Sequence, residues 1–347
     1  MRTTALLFVL GVLQLPTVSC NSLPMVHPSV HVDTLFTDDI SIRALAIRDG
    51  KLWYGADKAR YGYVELKSGE RKQAFADSDS IKGEFRSIGV GENAVYLLNT
   101  GSPAKLFKVS DDLSRSVVFT DTHPDAFYDS MLFVTQQKGI AVGDPVNGCF
   151  SILRTWDGGN TWKKSPCAES VANVEGEAAF AASNSNLASA GGTLWIFTGG
   201  KISRVLRSQN FGNSWTIHQT PMISGKSMTG TFAGDFYDSQ NGLIVGGDYE
   251  NQGMMSHNKA RSLDGGKTWQ TVGQGTGFGY ASCVRYFPKS NSRKAISVGP
   301  SGVFQTIDGG LTWQKILADP DLHTLIFAGP RVAYAGGRGK IIRIAFR

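Results

Sequence analysis

The phrase Arg261-Ser-Leu-Asp-Gly-Gly-Lys-Thr-Trp269 returns three more times, as Thr155-Trp-Asp-Gly-Gly-Asn-Thr-Trp162, Ser208-Gln-Asn-Phe-Gly-Asn-Ser-Trp215 and Thr306-Ile-Asp-Gly-Gly-Leu-Thr-Trp313. Its closing Trp steps by 53, 54 and 44 residues, a repeat length that suits four-stranded propeller blades. Each phrase reads as a hairpin turn between the third and fourth strands. Asp157, Asp264 and Asp308 accept from turn amides, Gly159, Gly266 and Gly310 supply positive φ, the Thr opens the returning strand, and the Trp covers the hairpin. Asn210 and Ser214 replace Asp and Thr in one copy with the same hydrogen-bonding logic. Asp157, Trp162, Asn210, Trp215, Asp264, Trp269, Asp308 and Trp313 are therefore structural residues: a fold needs such a phrase in every unit, and a single active site does not.

Working outward, apolar second strands recur at Leu52–Gly55, Val95–Leu98, Ile140–Gly143, Leu194–Gly199, Leu243–Gly246, Ala295–Gly299 and Val332–Gly336. Seven such strands predict an all-β, seven-bladed propeller of four-stranded antiparallel blades. The units run about 41–75, 84–119, 127–167, 178–219, 231–272, 281–316 and from 322 onward. The last has only three strands of its own, and His31–Phe36 is expected to close it as an N-terminal strand. The 41 Gly and 18% charged residues fit many short strands and tight turns.

Residues 1–20 carry the charged, apolar and small-residue regions of a secretory signal, 21–30 read as a linker, and 31–347 form one domain. Cys20 has two readings, the lipidated residue of a bacterial lipoprotein or the last residue of an ordinary cleaved signal. Either places the mature chain outside the cytoplasm, in a bacterial periplasm or on an outer membrane. The membrane enters only through that anchor. Cys149 and Cys167 lie symmetrically about Gly158, so a hairpin there brings them together as a disulfide. The net charge of +6 is scattered, with no basic run carrying interleaved aromatics. Nucleic acid is not an expected partner. No metal-ligand spacing and no dinucleotide-binding unit occurs, so no metal and no cofactor are expected.

Ser/Thr-x-Asp-x-Gly-x-Thr-Trp is the Asp-box, or bacterial-neuraminidase repeat. With four copies and second strands ending in Val-Gly, the mature chain resembles the photosystem II stability/assembly-factor-like propellers, as a bacterial exported member. That resemblance implies a non-enzymatic scaffold that binds a protein or peptide. The photosynthetic client is not carried over. Sialidases share the Asp-box, but their Phe-Arg-Ile-Pro phrase is represented here only by Phe85-Arg-Ser-Ile88. Glycan hydrolysis or glycan binding is the alternative, with Asp129, Glu177 and Asp235 as its candidate carboxylates.

Propellers bind ligands over the channel, on the face made by loops into the first strand and out of the second. Arg43, Arg86, Arg285 and His323, near the starts of first strands, and Tyr249 and His257, in the long Asp248–Lys259 loop, are the expected partner-binding residues there. Together they describe a charged funnel for an acidic peptide. The competing reading is a solvated mouth whose charges pair with one another.

Overall fold

A computed structural model describes residues 30–76 and 83–347. The signal segment with Cys20, and all of the 21–30 linker but its last residue, lie outside the described residues. Among the described residues the strands form six antiparallel sheets, arranged as a propeller. Sheet I holds Val30–Arg48, Lys51–Ala56, Arg60–Glu65, Arg71–Phe75, Leu322–Gly329 and Val332–Phe346. Sheet II holds Phe85–Val90, Val95–Asn99, Ala104–Val109 and Arg115–Asp121, and sheet III holds Tyr128–Phe133, Gly139–Val146, Cys149–Thr155 and Lys163–Lys164. Sheet IV contains Leu187–Ala190, Thr193–Phe197, Arg204–Ser208 and Thr216–Gln219. Sheet V contains Thr229–Phe236, Gly242–Asp248, Lys259–Ser262 and Gln270–Thr271 with the short Glu177–Ala178 and Gly199–Gly200, and sheet VI contains Cys283–Tyr286, Ala295–Gly299, Gly302–Thr306 and Gln314–Leu317.

The expected seven blades are thus corrected to six. The reason lies in two long strands. Val30–Arg48 pairs along its first half with Val332–Phe346, from Val30 opposite Phe346 to Ser41 opposite Arg338, and along its second half with Lys51–Ala56. Strands expected of the first and last units are therefore hydrogen-bonded into one sheet, which joins the two ends of the chain and leaves no open edge between them.

The innermost strands face one another around the channel, and the sheets bury their faces against their neighbours. This is why the second strands are continuously apolar: Val95–Asn99, Thr193–Phe197 and Ala295–Gly299 are buried at every position. Large rings fill the wedges between sheets, with Trp53, Trp195, Tyr96 and Tyr128 essentially inaccessible to water.

The repeat phrase sits between third and fourth strands in sheets III to VI. Asp157 Oδ1 accepts from the Thr161 amide at 2.9 Å, Asp264 Oδ1 from the Thr268 amide at 3.0 Å and Asp308 Oδ1 from the Thr312 amide at 3.0 Å. Burial works to raise the Asp157 and Asp264 carboxyls, but these bonds prevail and hold each at about 2. The turns also join sheets. Tyr96 of sheet II donates to Gly158 O at 2.7 Å, Trp195 Nε1 of sheet IV to Gly265 O at 2.9 Å, and Arg207 Nε to the same carbonyl at 3.0 Å.

That docking explains the fifth residue of the phrase, glycine in all four copies. Gly159 has φ 91°, and a Cβ there would lie 2.3 Å from Tyr96 Cζ. We expect Gly159→Ala to cost about 1–3 kcal/mol through overpacking and left-handed backbone together, read as a lower urea midpoint with an unchanged slope.

Cys149, at the start of its strand, is disulfide-bonded to Cys167 in the short 3-10 turn Cys167–Glu169. This tie closes the sheet III hairpin beyond its two-residue fourth strand.

Candidate functional site

The channel is not open. Residues 179–186, Ala-Phe-Ala-Ala-Ser-Asn-Ser-Asn, cross it between the strands Glu177–Ala178 and Leu187–Ala190. They had been expected to begin a blade. Small side chains and the absence of β-branched residues suit a segment that must fit inside a ring of strands better than one that forms a strand.

This segment is bonded to all the other sheets. Arg43 Nη1 donates to Ala182 O at 3.1 Å and the Thr324 hydroxyl to Ser183 O at 3.0 Å, both from sheet I. Arg86 Nη1 of sheet II donates to Ala181 O at 3.3 Å. Asn184 Nδ2 donates to Ile88 O at 2.9 Å, and its Oδ1 accepts from the Met131 amide at 2.8 Å. The Gly234 amide of sheet V donates to Ser185 O at 2.8 Å, and Ser183 Oγ donates to Ser282 O of sheet VI at 2.5 Å. From sheet III, Asp144 Oδ1 accepts from the Ala179 amide at 2.9 Å. The backbone groups of an irregular buried segment need such partners, and the inner strands supply them.

The segment divides the channel into two ends. On the Arg43 side, Arg43, Arg86, Phe180, Met228, Phe232, Tyr249 and Tyr280 surround a hollow of about 170 Å³. A second hollow of about 140 Å³ shares Arg43, Tyr249 and Tyr280 and extends to His323, Pro320 and Arg338. Tyr249 is 42% exposed and meets Tyr280 edge-on at 5.1 Å. Phe180 stacks on Phe232 at 3.9 Å. The mouth is therefore a basic bowl with an aromatic wall.

Its charge is unevenly compensated. Arg86 Nε reaches Glu84 at 2.9 Å. Arg43 has no ion pair among the described residues, and its buried Nε has no hydrogen-bond partner. Burial, and then the neighbouring Arg86, pull the Arg43 guanidinium below its usual range. Burial, followed by Arg43, Arg338 and Arg86, pushes His323 down to about 3, so this imidazole is neutral near pH 7.

Of the expected partner-binding residues, the fold brings Arg43, Arg86, Tyr249 and His323 together. Arg285 lies at the other end with Asp235, 3.7 Å away, and with Asn184 in a cavity of about 350 Å³ walled by Leu45, Ile88, Met131, Phe133 and Ile326. It is paired opposite Ile296, well inside its sheet, whereas Arg43 and Arg86 sit at the bulges where their strands begin to pair with the second strands, and this difference carries it past the crossing segment. His257 is exposed on the loop, its amide bound to Gln274 Oε1, and lines neither hollow.

The three carboxylates proposed for hydrolysis do not meet. Glu177 is buried under Arg204, whose Nε donates to Oε1 at 2.8 Å and whose Nη2 also binds it, and it accepts further from the Thr198 hydroxyl and the Val174 amide. Asp235 accepts from the Tyr286 amide at 2.7 Å. Burial raises its carboxyl, against the lowering pull of Arg285. Asp129 is wholly buried, and among the described residues neither oxygen makes a well-formed hydrogen bond. Burial, and then Asp144, hold its carboxyl far above the usual range, with Arg86 opposing. Burial likewise pushes Asp144 up to about 7. Sequence reading missed both Asp144 and Tyr280. Their only signal was a polar or aromatic residue interrupting an apolar strand end.

No protein family profile matches the chain, and no curated protein matches it in sequence. Solved structures do resemble it. The structure described as YCF48 bound to D1 peptide superposes with a TM-score of 0.64 at 12% identity, over 92% of this chain and 98% of that one. YCF48 from Cyanidioschyzon merolae gives 0.65 at 11% identity, over 91% and 98%. The RRP9 WD40 repeats give 0.65 at 12% identity, over 92% and 99%. At such identities the likeness is one of fold, and the fold shared by these proteins and this chain is the β-propeller.

Proposed function

We propose that the chain is an exported, assembly-factor-like scaffold that docks an acidic protein segment in the bowl beside the crossing segment. The observation that carries this reading is Arg43, a mostly buried guanidinium without a carboxylate partner among the described residues, set beside Arg86 under an exposed tyrosine. A buried charge is costly until it is paired, so an entering carboxylate gains more at Arg43 than at a solvated arginine. The aromatic wall of Tyr249, Tyr280 and Phe232 offers apolar contact around that anchor. A fold-mate described as bound to a peptide supports a peptide partner. The signal-like segment supports export, and the mass of the mature N-terminus distinguishes a cleaved Cys20 from a lipidated one.

The test is titration with fluorescent peptides of acidic and scrambled neutral sequence. Micromolar binding of the acidic set is expected, weakened at least tenfold by raising salt from 50 to 500 mM and by Arg86→Gln, which leaves the Arg43 contact to the crossing segment in place. Equal affinity for acidic and neutral peptides, or an Arg86→Gln protein that binds like the parent, would sink this reading.

A further inference from the structure

The four copies of the repeat phrase act as one another's controls. What all four share, the fold requires; where one departs, the fold does not explain it. Two departures stand out. The second position is Gln209, Leu263 or Ile307 in three copies and Trp156 in the fourth. The fourth position is Gly158, Gly265 or Gly309 in three copies, at φ 71°, 79° and 75°, and Phe211 in the remaining one, at φ 57°. A bulky residue in left-handed backbone is strained. The same copy carries Asn210 in place of Asp, and Trp215 Nε1 has no partner among the described residues, whereas Trp162, Trp269 and Trp313 donate to the turn glycine carbonyl at 3.0–3.1 Å.

These departures converge on one place. Trp156 of sheet III and Phe211 of sheet IV meet edge-on at 5.7 Å, and together with Lys138, Thr135, Gln209 and Asn213 they line a groove of about 400 Å³. Trp156 is 46% exposed and is the only exposed tryptophan among the described residues. Behind it stands Arg154, 5.1 Å from the indole and bonded to Asn213 Oδ1 and Glu169 Oε2. Lys138 lies 5.6 Å from the Phe211 ring. The phrase at the lip has lost its carboxylate to Asn210.

We propose that this groove binds a saccharide, neutral or uronate-bearing, with one sugar ring laid on the Trp156 indole. A sugar ring presents C–H groups on one face and hydroxyls around its edge. The groove answers with an exposed indole in its lining and the uncharged amide and hydroxyl groups of Thr135, Gln209, Asn210 and Asn213 beside it. Lys138 in its lining and the missing carboxylate disfavour a cationic guest such as a quaternary ammonium, for which bare aromatic faces would otherwise suit. Its size admits a ring or two, far below the area a protein partner needs. This site lies at the turns between third and fourth strands, lined by none of the residues of the basic bowl, so the two are independent.

Titration of the parent with neutral cello- and chito-oligosaccharides and with oligouronates, followed by tryptophan fluorescence, tests the proposal. A saturable change in the millimolar range or tighter is expected, lost at least tenfold in Trp156→Ala and unchanged in Arg86→Gln. Phe211→Gly exchanges strain for lost packing and is expected to keep its Tm within a few degrees while losing saccharide affinity. Lys138→Ala should remove any preference for uronates. If no saccharide in the panel binds, if Trp156→Ala binds as the parent does, or if only proline-rich or aromatic peptides perturb the Trp156 signal, the proposal is overturned.

Discussion

Glu177→Ala is expected to lower the folding stability by about 3–5 kcal/mol, because it strands the Arg204 guanidinium in the interior without its counter-charge. Glu177 is 3% exposed and receives two bonds from Arg204, one from the Thr198 hydroxyl and one from the Val174 amide. Thr198 Oγ1 in turn accepts from the Arg204 amide at 3.1 Å. The Arg204 guanidinium, the Thr198 hydroxyl and the Val174 amide lose a partner at once, and unsatisfied buried donors are more costly than absent ones. Urea unfolding of the parent, Glu177→Ala and the double variant Glu177→Ala with Arg204→Met measures this. The double variant should recover part of the loss, since apolar replacement of a buried pair is often tolerated. A single variant within 1 kcal/mol of the parent would show that Glu177 does not hold this corner of the channel.

Asp144→Asn is expected to stabilise the protein, and the more so the higher the pH. Burial pushes the Asp144 carboxyl to about 7, against about 3.9 in the unfolded chain. Between these values the folded state holds a proton that the unfolded state has released, so this group's contribution falls as pH climbs from about 4 to 7 and stays constant above. At roughly 1.4 kcal/mol per unit the full loss has a ceiling of about 4 kcal/mol. Asn keeps an acceptor for the Ala179 amide and removes the charge, and it also removes the second of the influences that raise Asp129. His323 acts with the opposite sign. Held at about 3 in the folded state against about 6.5 unfolded, it adds stability as pH rises through that window. The parent's own profile sums both, so the informative quantity is the difference between variant and parent. That difference should be near zero at pH 4 and a few kcal/mol at pH 8. A difference independent of pH would refute the assignment of a protonated carboxyl at Asp144.

How far the chain could be read before its fold was known differs from part to part. The repeat turns were legible in detail, because their chemistry is local. An Asp or Asn oxygen four residues before a Thr or Ser amide, and a glycine that must approach the preceding sheet, leave a signature within eight residues. Cys149 and Cys167 were legible for the same reason, as two positions equidistant from a turn. The count of units was not. Each apolar second strand is visible alone, but whether Val30–Arg48 serves one sheet or joins two depends on hydrogen bonds to Val332–Phe346 at the far end of the chain. The crossing segment was missed because alanine, serine and asparagine carry no periodicity, and only the ring of strands around them gives those residues a place.

For the candidate site the same division holds. The residue types were found, since arginine, tyrosine and histidine at strand starts and in a long loop are conspicuous in an apolar sequence. Their grouping was not, because a small difference in register along the first strand puts Arg285 at the other end of the channel from Arg43 and Arg86 while leaving the sequence pattern untouched. By itself the sequence determined an all-β chain built from repeated antiparallel hairpins with a particular turn, all properties of contacts between near neighbours. The tertiary structure alone decided how many sheets those hairpins make, that the channel is crossed, which charges share an end of it, and that Trp156 and Phe211 stand together, because each of these rests on contacts between residues far apart in the chain.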